Sequence, residues 1–211
     1  MAYDLEEQEQ IAAIKAWWAK WGNGILAAVL VAILAAAAWQ FWSARAHEQA
    51  RKAGSLYAQL VKASEMNDSA VVRQNADVLI NKFGSTVYAP LAAMHAARRQ
   101  FDAGDLDAAK DSLRWVIESS GRPEFAQIAR VRLAGVLLDA KLYDEALSVL
   151  AANTESYALL LTQDRRGDVL LAMGQPNEAR VAWQAALDTA PVQHPLRGLI
   201  QFKLDALPAA E

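Results

Sequence analysis

The chain has 211 residues, of which 54% are hydrophobic and 21% are charged, and its formal net charge is −3. Such a balance of charge gives no basic surface of the kind that binds nucleic acid, so we expect no nucleic-acid partner. Because the chain has no cysteine, disulfides, thiolate metal sites and cysteine nucleophiles are excluded, and folding must depend on packing alone.

Residues 1–21 carry an apolar stripe at helical spacing. Its members fall mostly three or four residues apart: Leu5, Ile11, Ile14, Trp18 and Trp21. We predict an amphipathic segment whose apolar side lies along a membrane.

Residues 22–42 are long and apolar enough to cross a bilayer. No charged side chain occurs between Lys20 and Arg45, and a helix of about 20 apolar residues covers the ~30 Å of hydrocarbon. Aromatic rings, which favour the two headgroup levels, bracket the stretch at both ends: Trp17, Trp18, Trp21, Trp39, Phe41 and Trp42. We therefore predict a single transmembrane helix in contact with membrane lipid.

Two other interpretations of this stretch remain open. A cleaved signal peptide would end at Ala44-Arg45-Ala46, but signal peptides begin with a basic stretch and have a shorter apolar core, whereas acidic residues precede this one. A buried helix of a soluble core would rarely be apolar on every face with aromatic rings only at its ends. The orientation also stays open, because Lys15 and Lys20 before the span are matched by Arg45 and Arg51 after it.

Small residues recur every four positions within the predicted span, at Gly24, Ala28, Ala32 and Ala36. A ridge of this kind lets another membrane helix approach closely. An alanine-rich helix also produces such a ladder by chance. We treat the ridge as a candidate docking face.

Residues 43–211 carry apolar residues at helical spacing, interrupted by short polar turns, without the alternation of strands. Three turns align, DAGDLDAAKDSL, DAKLYDEALSVL and AMGQPNEARVAW, and their alanines Ala109, Ala146 and Ala179 lie 37 and 33 residues apart. These distances bracket the 34-residue period of tetratricopeptide repeats. The sequence therefore predicts an all-α protein, with a single transmembrane helix followed by a tetratricopeptide-like solenoid.

The third copy fits the repeat best, because Gly167, Ala179, Trp183 and Ala186 place small and bulky residues where two helices meet, and Pro191 ends the second helix. In the second turn, Lys141 replaces the glycine found at Gly104 and Gly174. We expect helix pairs around residues 45–83, 86–119, 123–152 and 156–190, and a capping helix at 193–207.

The front YDLEEQEQIAAIKAWWAKWGNG, the single span and the repeats ending in DRRGDVLLAMGQPNEARVAWQAAL together resemble the YfgM-like ancillary subunits of the SecYEG translocon. The resemblance implies a single-pass protein of the bacterial inner membrane, with a cytoplasmic N-terminus and a periplasmic repeat domain. It also implies association with the SecYEG translocon and with the membrane-anchored, isomerase-like periplasmic chaperone PpiD, in assisting secreted client polypeptides.

The sequence offers little for catalysis. His47, His95 and His194 do not have the spacing of metal ligands, and phosphate loops, nucleophile elbows and dinucleotide glycine patterns do not occur. We expect no catalytic residue, no metal and no cofactor. An enzyme would require a polar cluster in a pocket, which one sequence does not show.

Stacked helix pairs present a concave groove that is lined by the first helix of each pair and suited to peptides. By resemblance to tetratricopeptide domains, the lining would comprise Leu91, Met94, Arg98, Phe101, Val131, Gly135, Leu138, Asp164, Asp168 and Leu171. Core packing is the alternative role for Leu138 and Leu171, and a surface salt bridge is the alternative for Arg98.

Two functions follow from this organisation. The first is a membrane-anchored scaffold that holds a peptide- or chaperone-binding domain beside the translocon. The alternative is a self-associating membrane anchor, paired through its small-residue ridge, that organises an envelope assembly or division complex.

Overall fold

The structure is a computed structural model that describes residues 2–153 and 158–207, with side chains described from residue 10 onward. The Leu5 side chain of the predicted apolar stripe, the predicted start of a helix pair at residue 156 and the last four residues lie outside this part of the chain. The described residues form helices and turns without a strand, which confirms the predicted all-α class. The helices are α1 (Ala2–Glu65), α2 (Ser69–Phe83), α3 (Tyr88–Asp102), α4 (Leu106–Ser119), α5 (Pro123–Asp139), α6 (Tyr143–Ala151), α7 (Leu159–Ala172), α8 (Pro176–Thr189) and α9 (Leu196–Asp205).

The chain divides into two compact units, residues 1–49 and 50–211. The first unit contains the apolar stretch, and within the described residues it is the one stretch long and apolar enough to cross a membrane, with a mean hydropathy of 2.2. No residue of its most apolar window is buried. A helix of a soluble core would bury such side chains, so this exposure argues against the buried-core interpretation.

The helix α1 continues through Gly22-Asn23-Gly24, although glycine lowers helix propensity. The indole of Trp18, one turn earlier, lies against Gly22, where an added Cβ would be 3.0 Å from the ring. This contact covers the backbone at Gly22.

The second unit is built from antiparallel helix pairs. The last part of α1 packs with α2, and the later pairs are α3 with α4, α5 with α6, and α7 with α8, followed by α9 against α8. Because α5 also contacts α3 and α7, the first helices of successive pairs lie side by side in one layer.

The alanines that the repeat pattern singled out sit where paired helices meet. Ala109, Ala146 and Ala179 have no exposed surface. A side chain of one carbon lets two helix backbones approach closely, so these alanines fix the distance between helices.

The turns within the pairs share a left-handed backbone position. Gly104 and Gly174 have φ angles of 78° and 77°, and Lys141 has 60° at the corresponding position of the α5–α6 turn. The turn therefore keeps its shape without the glycine. Lys141 adopts a backbone conformation that is unfavourable for residues with a Cβ.

Candidate functional site

A cavity of about 440 Å³ opens on the layer of first helices in the second unit. Its lining comes mainly from α3 and α5, with a contribution from α4 and from α7. The lining residues are Met94, His95, Ala97, Arg98, Phe101, Leu113, Arg132, Gly135, Val136, Asp139 and Arg165.

The floor of the cavity is apolar. Met94, Leu113 and Val136 are buried, and Phe101 is half-buried against the same hydrophobic core. Pockets that bind small ligands or peptide side chains combine such a floor with a few polar groups. The thioether of Met94 can adapt its shape to different apolar groups.

Three arginines, one from each of three neighbouring first helices, line the same cavity: Arg98 on α3, Arg132 on α5 and Arg165 on α7. They lie 34 and 33 residues apart, which is the repeat period. The shared register of the repeats therefore carries the three guanidinium groups to one side of the layer.

The three arginines differ in their internal partners. Arg98 Nε lies 2.9 Å from Asp102 Oδ1, and Arg165 Nη1 lies 3.3 Å from Asp168 Oδ2. In the part of the chain that the structure describes, Arg132 has neither a hydrogen bond nor an ion pair.

Arg132 is an exposed residue of the cavity lining, and neighbouring protein atoms shield only part of its side chain from water. Burial lowers the pKa of Arg132, and the positive charge of Arg98 lowers it further. The same crowding affects His95, whose pKa is lowered by burial and by Arg132. Burial raises the pKa of Tyr57, whose ring lies edge-on to His95 with ring centroids 5.7 Å apart.

A second polar cluster joins α7 to α9. The Lys203 ammonium lies 2.6 Å from Asp164 Oδ1 and 2.7 Å from Asp168 Oδ1, and 5.6 Å from the centre of the Trp183 ring. The indole Nε1 of Trp183 donates a hydrogen bond of 3.1 Å to the carbonyl oxygen of Asp164. Burial is the main cause of a raised pKa at Asp168 and the charge of Asp164 adds to it, whereas Lys203 and Arg165 act to lower it.

The predicted groove residues fall into separate places. Met94, Arg98, Phe101 and Gly135 line the cavity. The remaining six do not. Leu91, Val131 and Leu138 are partly buried against the core, Asp164 and Asp168 bind Lys203, and Leu171 is 43% exposed. Contact of any of these residues with a partner stays a prediction.

The sequence interpretation missed Arg132, Arg165, His95 and Asp139. A signal for the two arginines was present, because adding the repeat period to Arg98 leads to Arg132 and then to Arg165. His95 carries no comparable periodic signal, whereas Asp139 aligns with Asp102 in the repeated turns.

The small-residue ridge Gly24, Ala28, Ala32 and Ala36 is exposed throughout. A Cβ added to Gly24 would meet nothing within 4 Å. The ridge is therefore open to another helix, and its docking role stays a prediction. Within the described residues, no group of three or more histidines and carboxylates could hold a metal ion.

Comparisons with known proteins cover nearly the whole chain. A family model described as a tetratricopeptide repeat-like domain matches residues 15–209. A relative from Neisseria gonorrhoeae, named ancillary SecYEG translocon subunit, is 30% identical over 208 residues, which are 98% of this chain and 100% of the relative. Relatives of the same name are 27% identical in Aggregatibacter actinomycetemcomitans, over 98% of this chain and 100% of the relative, and 27% identical in Escherichia coli, over 95% and 96%.

Proposed function

The chain belongs to the family of ancillary SecYEG translocon subunits with a tetratricopeptide repeat-like domain, and from this premise we propose that it is a membrane-anchored scaffold of the translocon. In this role it holds a partner-binding domain beside the protein-conducting channel. The role is one of binding, with no catalytic step.

The observation that carries the proposal is the extent of the match. The relatives named as translocon subunits are matched over the unburied apolar helix as well as over the repeat domain. This chain and these relatives thus share both proposed parts of the scaffold, the anchor and the binding domain, in the same order.

The proposed topology is a single span at residues 22–42 of the bacterial inner membrane, with residues 1–21 in the cytoplasm and residues 43–211 in the periplasm. The resemblance supports this orientation, and the flanking charges do not oppose it, because long domains cross a membrane largely regardless of charge. A periplasmic domain can reach the chaperone PpiD and secreted client polypeptides, which we propose as its further partners.

Anchoring has a quantitative benefit. A domain confined beside the channel meets emerging chains at a high effective concentration, so contacts of about micromolar strength suffice. The cavity on the layer of first helices, with its apolar floor and charged rim, is the proposed contact surface in the repeat domain.

The ridge of Gly24, Ala28, Ala32 and Ala36 is the proposed contact in the membrane. Small residues let two helix backbones approach closely, which increases the van der Waals contact between them. A translocon helix would pack there in the scaffold, whereas a second copy of the chain would pack there in the self-associating alternative.

The test is capture of partners by the tagged full chain from gently solubilised membranes. We expect the SecYEG subunits and PpiD to co-purify. A matched control replaces residues 22–42 with an unrelated apolar span of the same length, which keeps the anchor and should lose the translocon. The proposal is wrong if neither the translocon nor PpiD is recovered with the intact chain.

Two substitutions in the ridge separate the scaffold from the self-associating anchor. Ala28→Leu with Ala32→Leu would block close helix approach while keeping the span apolar. The scaffold predicts loss of the translocon from a chain that is monomeric before and after the change. Loss of a dimer, with the translocon never present, would favour the alternative.

A further inference from the structure

Arg132 is the one cavity arginine without an internal anion in the described part of the chain. It lines the cavity on α5, between Arg98 on α3 and Arg165 on α7, and partial burial and the charge of Arg98 both lower its pKa. The opposite charge of a carboxylate placed against the guanidinium would offset both effects, because guanidinium and carboxylate form paired, charge-assisted hydrogen bonds.

Arg98 and Arg165 stand on either side of Arg132 along the layer. Their carboxylate partners, Asp102 and Asp168, come from the next turn of their own helices. Exposed ion pairs of this kind contribute little, and the Arg98 side chain is 72% exposed. The Arg98 guanidinium can therefore turn towards a ligand without a large loss, whereas Arg165 pairs with the partly buried Asp168 and lines the cavity from that position.

Arg165 already reaches towards α5. A Cβ added to Gly135 would lie 3.5 Å from the guanidinium carbon of Arg165. The absence of a side chain at Gly135 thus leaves room for Arg165 over the helix that carries Arg132. A ligand at Arg132 lies within reach of a second guanidinium.

The apolar floor next to Arg132 adds a second requirement. Met94 and Val136 are buried, and Phe101 forms part of the same wall. A bulky apolar side chain beside the ligand carboxylate would cover this floor and remove its surface from water.

We propose that this cavity binds an extended polypeptide segment that carries an aspartate or glutamate next to a bulky apolar residue. This proposal rests on the proposed function, in which the domain meets extended secreted chains. The side-chain carboxylate binds Arg132, with Arg98 and Arg165 beside it, and the apolar side chain occupies the floor. The proposal names the kind of client segment that the domain selects.

A side-chain carboxylate fits this surface better than a free C-terminus. Packed helices are about 8–10 Å apart, and about three residues of extended chain cover that distance. A segment that crosses the layer continues past Arg132 in both directions and can present further carboxylates to Arg98 and Arg165. A terminal carboxylate ends the segment at one guanidinium.

The test uses the full chain in lipid nanodiscs and short fluorescent peptides as probes. Fluorescence anisotropy measures how tightly each peptide binds. The first probe is capped at both ends and carries one glutamate between two leucines in a glycine–serine background. The second has glutamine in place of glutamate. The third carries the leucines without glutamate and has a free C-terminal carboxylate.

We expect the glutamate probe to bind at least about tenfold more tightly than the other two, which is the change expected for a charge-assisted hydrogen bond. Arg132→Gln should remove this preference, and Arg132→Lys should restore only part of it. Added salt should weaken binding of the glutamate probe, because the ion pairs at the rim are screened.

The matched control is Arg166→Gln, which removes the same charge from α7 at an exposed position outside the cavity lining. It should leave the preference for glutamate unchanged. Arg132→Gln removes no hydrogen bond of the described structure, so its thermal unfolding should match that of the parent chain.

Equal binding of the glutamate and glutamine probes, tighter binding of the free C-terminus, or no binding would each overturn the proposal. An equal loss in the Arg166→Gln control would do so as well. The outcome is independent of partner capture. The parent chain can recover the translocon and yet show no preference for glutamate, or show the preference without recovering the translocon.

Discussion

Gly167, whose side chain is a single hydrogen atom, leaves room for the ring of Trp183. A Cβ at this position would clash with the indole Nε1, and Trp183 is 1% exposed, so the ring could move only by disturbing its neighbours. We expect Gly167→Ala to lower the free energy of unfolding by about 1–3 kcal/mol, because overpacking would displace the ring and its hydrogen bond to Asp164. Urea unfolding followed by circular dichroism measures the change.

Gly198 is the control for this substitution. It also lies in a helix, α9, but an added Cβ there would meet nothing within 4 Å. Gly198→Ala should therefore raise the free energy of unfolding by about 0.5–1 kcal/mol through helix propensity. Equal effects of the two substitutions would contradict the role of the contact with Trp183.

Lys141 has the left-handed backbone conformation that glycine adopts at the corresponding turn positions, Gly104 and Gly174. Its φ of 60° places a Cβ in the left-handed region, which costs a side-chain residue about 1–2 kcal/mol. Lys141→Gly should raise the free energy of unfolding by about 0.5–1 kcal/mol, after allowance for the greater entropy of glycine in the unfolded chain. Thermal and urea unfolding of the full chain give the value.

Lys141→Ala separates the backbone effect from loss of the lysine side chain. Alanine keeps the strain at positive φ, so it should give no gain. If alanine stabilised the chain as much as glycine does, the left-handed turn would not be the cause.

At the scale of elements, α9 is joined to α7 through one ammonium group. Lys203 is 21% exposed, and its partners Asp164 and Asp168 are 14% and 19% exposed. Removal of one member from a partly buried ion cluster leaves charge without full compensation. Lys203→Met should therefore lower the free energy of unfolding by about 2–3 kcal/mol and loosen α9, which hydrogen exchange of its amides would report.

Lys82→Met provides the comparison for that change, because Lys82 is exposed at the end of α2. It should change the free energy of unfolding by less than about 0.5 kcal/mol. A loss for Lys203→Met no greater than that for Lys82→Met would show that the cluster does not fix α9.

The helix pairs could be predicted because their information is local. Small residues at Ala109, Ala146 and Ala179 recur at a fixed period, and the buried positions of all three follow from helix packing. The contact of Lys203 with Asp164 could not be predicted, because it joins residues far apart in sequence and depends on how α9 lies against α7. The sequence therefore placed Asp164 and Asp168 in the groove without their internal partner.

The cavity shows the same division between local and long-range information. Met94, Arg98 and Phe101, which line the cavity, were placed in the groove by the resemblance to tetratricopeptide domains. The role of Arg132 in the cavity could not be identified in this way, because it depends on how α3 and α5 pack. Only the packed structure shows that the charge of Arg98 acts on it.

For the whole molecule, membership of the family confirms the resemblance and the tetratricopeptide-like fold that the sequence predicted. The orientation of the span could not be predicted from charge, because lysines and arginines lie on both sides of residues 22–42. Periplasmic partners can bind the repeat domain only if this domain lies on the periplasmic side of the membrane.

Protease accessibility measures that side directly. We expect the repeat domain of the intact chain to be digested in spheroplasts and protected in whole cells, while the apolar helix stays in the membrane fraction after alkaline extraction. A domain that is digested only after the spheroplasts are lysed, or a chain recovered as a soluble species cut near Ala46, would contradict the anchored periplasmic scaffold.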